Sequence, residues 1–193
     1  YEHEFIVSPS TLIPRPETEL LIDVALDRLD SDKKIKVLDL GTGSGIIAIT
    51  LSKKCPKWEI SATDRSSEAL NIAKLNANKH IDFYFGNWFE PLPHIKFDLI
   101  VSNPPYINKQ DPHLEDLKFE PIEALVSGNN GLKDIKYIIS KSPQFLNKGG
   151  LLLLEHGYDQ KKKIVKLLED SFTNIKTFKD LNKVDRAILA ELR

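Results

Sequence analysis

A short apolar run that ends in three alternating glycines constrains the fold of this chain more than any other feature. Ile35–Leu40 is followed directly by glycines at positions 41, 43 and 45. A short apolar run that stops at a glycine cluster is typical of a central strand, buried on both faces, that turns tightly into a helix. The G-x-G-x-G spacing and the lack of a following Lys-Ser/Thr exclude a P-loop. The sequence therefore predicts a strand–turn–helix unit whose loop lets a ligand approach the backbone.

Strand-like apolar runs alternate with helical patterns along the rest of the chain. We predict strands at Glu4–Val7, Ile35–Leu40, Trp58–Thr63, Ile81–Phe85, Phe97–Val101, Leu151–Glu155, Ile175–Phe178 and Ala187–Leu192. We predict one helix that starts at Pro16, a second at Ile46–Lys53 and a third that runs from a Ser66 cap to about Lys79. A fourth is predicted at Gly131–Leu146, with a break at Pro143, and a fifth buries Ile164 and Leu168. This alternation predicts an α/β fold, a mostly parallel sheet with helices on both faces. The closing hairpin would add an antiparallel edge strand.

Two segments complicate this prediction. The helix that ends near His80 runs straight into the Ile81 strand, so either the helix is shorter or loop residues are omitted from the sequence. The polar stretch from Ile107 to about Glu120 is too long for an ordinary connection, which indicates a functional loop. We divide the chain into an N-terminal strand and helix at residues 1–30 and a main domain at residues 31–193. Because the sequence contains no methionine, we expect that an upstream portion is missing.

Composition narrows the function classes. Lys and Arg number 27 and Asp and Glu 28, giving a net charge of −1, which argues against a protein that binds mainly by neutralising phosphates. A single cysteine excludes a disulfide framework and a multi-cysteine metal site, and the five histidines show no metal-ligand spacing. The apolar runs are far shorter than the roughly 20 residues of a membrane span. We therefore expect no metal and no membrane association.

Polar and aromatic residues after the second and third strands suggest a nucleoside site. Asp64 ends the second strand, 19 residues past Gly45, where a carboxylate can accept hydrogen bonds from both ribose hydroxyls. Asn87 can accept from an adenine amino group, and Trp88 offers a stacking face, although ordinary core packing explains Trp88 equally well. Together with the glycine loop, these residues predict a site for an adenosine-containing cofactor at the carboxyl ends of the strands.

The segment Asn103-Pro104-Pro105-Tyr106 leaves a strand end beside this site and is the most informative motif. The two prolines stiffen the backbone, so the Pro104 carbonyl and the Asn103 side-chain oxygen form a fixed pair of neutral acceptors. Such a pair can hold both N–H bonds of a planar NH2 group, and Tyr106 can wall the planar group. This arrangement suits alkylation of a poorly basic nitrogen, which needs positioning more than deprotonation. The alternative is a rigid turn without chemistry.

On these motifs the chain resembles the class I S-adenosylmethionine-dependent methyltransferases, and more narrowly the HemK/PrmC family of release factor glutamine N5-methyltransferases. The segments that carry the narrower resemblance are Leu12–Glu19, Leu38–Gly45, Val101–Tyr106, Phe119–Pro121 and Leu151–Gly157. The resemblance implies a Rossmann-like fold with a seven-stranded sheet. It also implies a cytoplasmic enzyme, expected to be a monomer, that methylates the glutamine amide nitrogen in the Gly-Gly-Gln motif of peptide chain release factors. S-adenosylmethionine would be the methyl donor and S-adenosylhomocysteine the product.

The resemblance also implies residue roles. The cofactor-binding residues would be Gly41, Thr42, Gly43, Ser44, Gly45, Asp64, Asn87, Trp88 and Asn103. Asn103, Pro104 and Tyr106 would be catalytic, and they would bind substrate together with Pro105, Arg15, Glu19 and Glu120. For Arg15, Glu19 and Glu120, a structural ion pair or cap is an equal alternative. The family commonly has Asp where Asn87 stands, and it carries an N-terminal helical domain that helps to dock the release factor.

Two other functions fit the same motifs. An adenine-N6 methyltransferase acting on DNA or RNA could hold an exocyclic amine with the same loop, but the net charge and the lack of a target-reading module count against nucleic acid as a partner. A non-catalytic nucleoside-binding module would bind the cofactor and transfer nothing. Methyl transfer to a release factor or to a polynucleotide, and its loss in an Asn103→Ala variant, would separate these three hypotheses.

Overall fold

The computed structural model of the chain describes residues 4–78, 80–117 and 119–193, and it contains a seven-stranded sheet. The strands are β1 (Lys36–Leu40), β2 (Glu59–Asp64), β3 (Asp82–Phe85), β4 (Phe97–Ser102), β5 (Leu146–Glu155), β6 (Phe172–Lys179) and β7 (Asp185–Leu192). Their order across the sheet is β3-β2-β1-β4-β5-β7-β6. The first five strands pair in parallel, and β7 runs antiparallel to both β5 and β6. The predicted α/β class is confirmed, and the antiparallel strand lies second from the edge, with β6 outermost.

Helices connect the strands. They are α1 (Pro16–Arg28), α2 (Ile46–Lys54), α3 (Ser67–Asn76), α4 (Ile122–Leu125), α5 (Lys133–Lys141) and α6 (Lys161–Leu168). Two 3-10 turns lie at Pro112–Leu117 and Ser142–Gln144. In the part of the chain that is described, no helix is both long enough and apolar enough to cross a membrane.

Alternation of side chains along the central strands divides the core between the two faces of the sheet. Val37 and Leu153 belong to one buried cluster, which also contains the apolar faces of α1 and α2. Leu38 and Leu152, one residue along each strand, belong to a second cluster with α5 and α6. Both faces of the sheet are therefore covered, which explains why these strands consist of nearly continuous apolar residues.

The predicted strand at Glu4–Val7 is wrong. Backbone groups of Ile6 bond to the side chain of Asn76 instead of a neighbouring strand: Ile6 N donates to Asn76 Oδ1 (2.8 Å), and Asn76 Nδ2 donates to the Ile6 carbonyl (2.9 Å). Three adjacent apolar residues do not determine a strand without a partner edge to pair with. Residues 1–3 lie outside the described residues, and the division at residue 30 stays a prediction.

Two helix predictions needed shortening. The helix capped by Ser66 ends at Asn76 rather than near Lys79, which is not among the described residues, and β3 begins at Asp82. The Ser66 hydroxyl accepts from Ala69 N as a cap should. The helix predicted over Gly131–Leu146 ends at Lys141, and Pro143 lies in the 3-10 turn that follows. Proline removes a backbone donor, which accounts for this break. The short helix α4 has no counterpart in the sequence prediction.

Candidate active site

A cavity of about 340 Å³ lies at the carboxyl ends of β1, β2 and β4. All the residues predicted to bind the cofactor line it except Gly45. Gly45 instead caps the start of α2, where its carbonyl accepts from Ile49 N. The carboxyl ends of parallel strands meet at one edge of the sheet, which is why residues far apart in sequence converge here.

The glycine loop leaves open space in this cavity at Gly43. Its φ is +56°, which L side chains rarely adopt, and a Cβ built on it would meet no atom within 4 Å. The Gly43 N–H donates to Asp64 Oδ2 at 2.8 Å. The loop therefore presents bare backbone to the cavity, as a ligand that packs against the main chain requires.

Asp39 is fully buried and forms hydrogen bonds with the glycine loop and with α2. Its Oδ2 accepts from the Thr42 hydroxyl at 2.6 Å and from Ala48 N at 3.2 Å, while its Oδ1 has no partner within the described residues. Burial raises the pKa of Asp39 to about 7, against the lowering effect of those two hydrogen bonds. Asp39 thus shapes the loop and the start of α2.

Asp64 lines the cavity with both oxygens already engaged once. Oδ1 accepts from Ser66 N at 2.9 Å and Oδ2 from Gly43 N at 2.8 Å. Each carboxylate oxygen has a second lone pair, so Asp64 can still accept from two hydroxyls of a ligand. Burial raises the pKa of Asp64, and its backbone hydrogen bonds oppose that rise.

Asn87 and Trp88 follow β3 and line the same cavity. Trp88 adopts φ of +50°, unusual for a bulky residue, and a Cβ on Gly41 would lie 3.1 Å from its ring. The ring also packs against the second core cluster, so cavity wall and core contact are both present. The Asn87 amide donates to Glu90 Oε1 at 3.3 Å, which leaves its oxygen as an acceptor.

The Asn-Pro-Pro-Tyr segment separates this cavity from a second one of about 230 Å³. Asn103 lines both cavities, Pro105 lines the first, and Pro104 and Tyr106 line the second. A group held in the second cavity beside Asn103 would therefore face a ligand in the first. This is the geometry that a transfer reaction between two bound molecules needs.

Four side chains from distant parts of the chain form a continuous network at this boundary. Asn103 Nδ2 donates to Thr18 Oγ1 (3.1 Å), and Thr18 Oγ1 donates to Glu155 Oε2 (3.2 Å). The Tyr106 hydroxyl donates to Glu155 Oε1 (3.0 Å). Burial raises the pKa of Glu155 to about 7, and burial and the Glu155 charge raise the pKa of Tyr106.

Gln160 fixes the backbone that follows the motif. Its side-chain amide donates to the carbonyls of Tyr106 (2.9 Å) and Gly131 (3.2 Å), and its Oε1 accepts from Gly157 N (2.9 Å). Gln160 was not among the residues predicted from the sequence. The only available signal was a polar residue directly before α6, and many helix starts share it.

The predicted substrate residues lie in different places. Arg15 lines the second cavity and pairs with Glu120, which also accepts from Ile13 N at 3.0 Å. This pairing ties the segment before α1 to the long loop after β4. Glu19 lines a third cavity instead, so its role in substrate binding stays a prediction.

The segment that follows the long loop borders the first cavity, because Pro121 and the α4 residues Glu123 and Ala124 line it. Ile107 N donates to the Leu125 carbonyl (2.8 Å), so the loop returns to its starting point through α4. Arg65 donates to the Glu123 carbonyl (3.1 Å) and forms an ion pair with its carboxylate (3.2 Å), which links the end of β2 to α4. The sequence indicated a functional loop here but not these contacts.

Comparison with known proteins identifies the family. Residues 17–118 match the model of the methyltransferase small domain. A release factor glutamine methyltransferase from Coxiella burnetii is 47% identical over 189 residues, covering 95% of this chain and 68% of that protein. One from Vibrio cholerae is 46% identical over 198 residues, covering 97% and 68%. The chain belongs to the release factor glutamine methyltransferase family. The resemblance drawn from its motifs is thereby confirmed, and the chain spans about two thirds of the length of these relatives.

Solved structures agree on the fold. A methyltransferase from Pyrococcus furiosus superposes with a TM-score of 0.75 at 16% identity, covering 99% of this chain and 89% of that one. A 16S rRNA N2 G1207 methyltransferase from Thermus thermophilus, solved with AdoMet and guanosine, has a TM-score of 0.69 at 20% identity, covering 94% and 44%. At these identities the likeness shows the methyltransferase fold alone.

Proposed function

We propose that this chain transfers a methyl group from S-adenosylmethionine to the side-chain amide nitrogen of the glutamine in the Gly-Gly-Gln motif of peptide chain release factors. The observation that carries the proposal is the position of Asn103 on the wall shared by the two cavities. The names of the relatives supply the substrate class.

The first cavity suits S-adenosylmethionine. Asp64 would accept from the ribose hydroxyls, since each of its oxygens keeps a lone pair. Trp88 and Asn87 would border the adenine, and the bare backbone at Gly43 would lie against the methionine end. When bound, S-adenosylmethionine supplies an electrophilic methyl group on a sulfonium sulfur.

The second cavity suits the substrate glutamine. The Asn103 oxygen and the Pro104 carbonyl would accept one N–H each from the amide NH2 and so fix its plane. The Tyr106 ring would pack against the amide, because the Tyr106 hydroxyl already donates to Glu155. An amide nitrogen is a poor base and a poor nucleophile, so these residues contribute orientation rather than proton abstraction. As the N–C bond forms and the C–S bond breaks, the nitrogen becomes acidic and its proton is lost to solvent.

Arg15 and Glu120 would shape the approach of the peptide indirectly. Their ion pair and the bond from Ile13 N to Glu120 hold the segment before α1 against the loop after β4. This contact lies beside the second cavity, which Arg15 lines. We propose that it forms one rim of the cleft that receives the Gly-Gly-Gln loop.

A methylation assay tests the proposal. The chain is incubated with S-adenosylmethionine carrying a labelled methyl group and an unmethylated release factor, and the product is digested and analysed by mass spectrometry. We expect one added methyl group on the glutamine of the Gly-Gly-Gln motif and none on a release factor with that glutamine replaced by alanine. Transfer to a polynucleotide but not to the release factor would overturn the proposal.

A further inference from the structure

We propose that Thr18 and Glu155 are positioning residues that together determine which end of the Asn103 side-chain amide faces the methyl acceptor. The inference rests on the proposed function, because it concerns how the Asn103 oxygen is presented to the substrate amide. It follows from the direction of each hydrogen bond in the network that joins Asn103, Thr18, Glu155 and Tyr106.

The network draws on three separate parts of the chain, and two of its members are buried while Asn103 and Tyr106 are half-buried. Thr18 lies in the first turn of α1, Glu155 is the last residue of β5, and Asn103 directly follows β4. Thr18 is 3% and Glu155 1% exposed. Because water is largely excluded around Thr18 and Glu155, these two side chains depend on the network for their hydrogen-bond partners.

The direction of the bonds follows from Glu155. A carboxylate only accepts hydrogen bonds, so the hydroxyls of Thr18 and Tyr106 must both donate their single proton to it. Because the Thr18 hydroxyl has used its proton, it can only accept a hydrogen bond from Asn103. Asn103 must therefore turn its NH2 end toward Thr18. The Asn103 oxygen is thereby left as the end that a substrate NH2 group can meet.

Above pH 7, the ionisation of Glu155 supports this direction of the hydrogen bonds. Burial raises its pKa to about 7, hydrogen bonds from Tyr106 and Thr18 and the charge of Arg186 oppose the rise, and Glu17 adds to it. At about pH 8 the carboxylate form predominates. An asparagine turned the other way would place its NH2 against the NH2 of the substrate, and two donors facing each other cannot form a hydrogen bond.

The test uses four variants at about pH 8 with an unmethylated release factor as substrate. Thr18→Val removes the hydroxyl at similar size, Thr18→Ser keeps it, and Glu155→Gln replaces an acceptor oxygen by a donor. Thr50→Val is the matched control, because Thr50 is a buried threonine whose hydroxyl has no hydrogen-bond partner within the described residues. The measurements are kcat, KM, the S-adenosylmethionine Kd and the thermal midpoint.

We expect Thr18→Val to lower kcat by about 10- to 100-fold and to change the S-adenosylmethionine Kd by less than about threefold. Thr18→Ser should recover most of the rate, and Glu155→Gln should lower kcat with the protein still folded. In an Asn103→Ala background, Thr18→Val should lower kcat no further, because the proposed effect of Thr18 on transfer runs through Asn103. Full activity of Thr18→Val, or an effect that adds in full to Asn103→Ala, would overturn the inference.

A second readout does not depend on activity. The side-chain NH2 protons of Asn103, followed by NMR, should exchange slowly with solvent in the unmodified chain and faster in Thr18→Val. Equal exchange rates in the two proteins would contradict the hydrogen bond from Asn103 to Thr18. If the unmodified chain fails to methylate a release factor while this difference in exchange is present, the proposed function is wrong and the orientation of Asn103 stands.

Discussion

A buried carboxylate lies beside each of the two cavities, the first of which we propose as the cofactor half of the site and the second as its acceptor half. Asp39, under the cofactor half, accepts from a hydroxyl three residues away and a backbone N–H nine residues away. Glu155, behind the acceptor half, accepts from hydroxyls 49 and 137 residues away. Burial raises the pKa of both to about 7. Asp39 therefore shapes a local loop, whereas Glu155 orients side chains that only the complete fold brings together.

The two halves of the site therefore differ in whether their contacts are local in the sequence or join distant elements. The cofactor half is built around the glycine loop of one strand–loop–helix unit and Asp64 of the strand beside it, and residues before α1, after β3 and around α4 complete its lining. The acceptor half depends on a chain of directional hydrogen bonds from three elements. We therefore expect substitutions in the cofactor half to change ligand affinity and those in the acceptor half to change the rate of transfer.

The largest effect should come from Asn103→Ala. Removing a positioned hydrogen-bond partner of the reacting group costs about 10²–10³ in rate in comparable sites. We expect kcat/KM for release factor methylation to fall by about that factor and the S-adenosylmethionine Kd to change by less than about tenfold. Kinetics and calorimetry on the same preparation measure both.

Asn147→Ala is the matched control for that variant. Asn147 lies in β5, and its amide donates to Asp98 Oδ1 at 2.7 Å, at the end of the sheet opposite the cleft. It should leave kcat/KM unchanged. If Asn103→Ala instead weakened S-adenosylmethionine as much as it slowed transfer, the division between the two halves would be wrong.

Replacing Asp64 by alanine should produce the next largest effect, in the opposite half. Hydrogen bonds to a charged group contribute about 1.5–3 kcal/mol each, so loss of the ribose partner should raise the S-adenosylmethionine Kd by about 10- to 100-fold. Glu68→Ala removes an exposed carboxylate from the first turn of α3 and serves as the control. At saturating S-adenosylmethionine, Asp64→Ala should regain much of its kcat, and a kcat that stays low would count against a purely binding role.

Part of the cofactor half could be predicted from the sequence, whereas its lining before α1 and around α4 could not. Gly41, Gly43, Asp64, Asn87 and Trp88 were placed together because each follows a strand, and parallel strands end at one edge. Motif spacing carries this information within a few dozen residues of chain. The three-dimensional position of Asn103 followed from the same argument.

The acceptor half could be predicted only in part. The chain showed Thr18 and Glu155 as members of recognisable segments, but not that they bond to each other or to Asn103. Their contacts depend on how α1 docks against β5, which is a property of tertiary packing. The same reason explains the wrong strand at Glu4–Val7, whose backbone partner proved to be the side chain of Asn76.

Two glycines with positive φ provide a third test, one in the first cavity and one far from it. Gly43 and Gly149 both have positive φ, +56° and +75°, so alanine at either position should cost roughly 1–2 kcal/mol of backbone strain. At Gly43 the new methyl group would also enter the cavity, whereas at Gly149, near the start of β5, it would lie 3.8 Å from Glu191 Oε1. We expect both variants to melt lower and only Gly43→Ala to weaken S-adenosylmethionine binding, by about tenfold. Equal Kd values for the two variants would argue against the placement of the ligand.

The smallest effect concerns the pH dependence of stability through Asp39. Its pKa is about 7 when folded and 3.8 ordinarily, so between these values the folded state binds a proton that the unfolded state lacks. The free energy of unfolding should therefore fall as pH rises, by about 1.4 kcal/mol between pH 6 and pH 8 from this group. Asp39→Asn keeps an oxygen for Thr42 and Ala48 and cannot titrate, so its stability should decline less over the same range.

Urea unfolding of both proteins at pH 6, 7 and 8 measures this difference directly. Glu155 and Asp64 also have raised pKa values and remain in the variant, so its stability should still fall with pH, with a smaller slope. Asp27→Asn, at a carboxylate 71% exposed on α1, makes the same change of charge without the burial and serves as the control. Parallel curves for Asp39→Asn and the unmodified chain would mean that Asp39 is ionised at little cost. Asp39 and Glu155 would then differ in the free-energy cost of ionisation as well as in their hydrogen-bond partners.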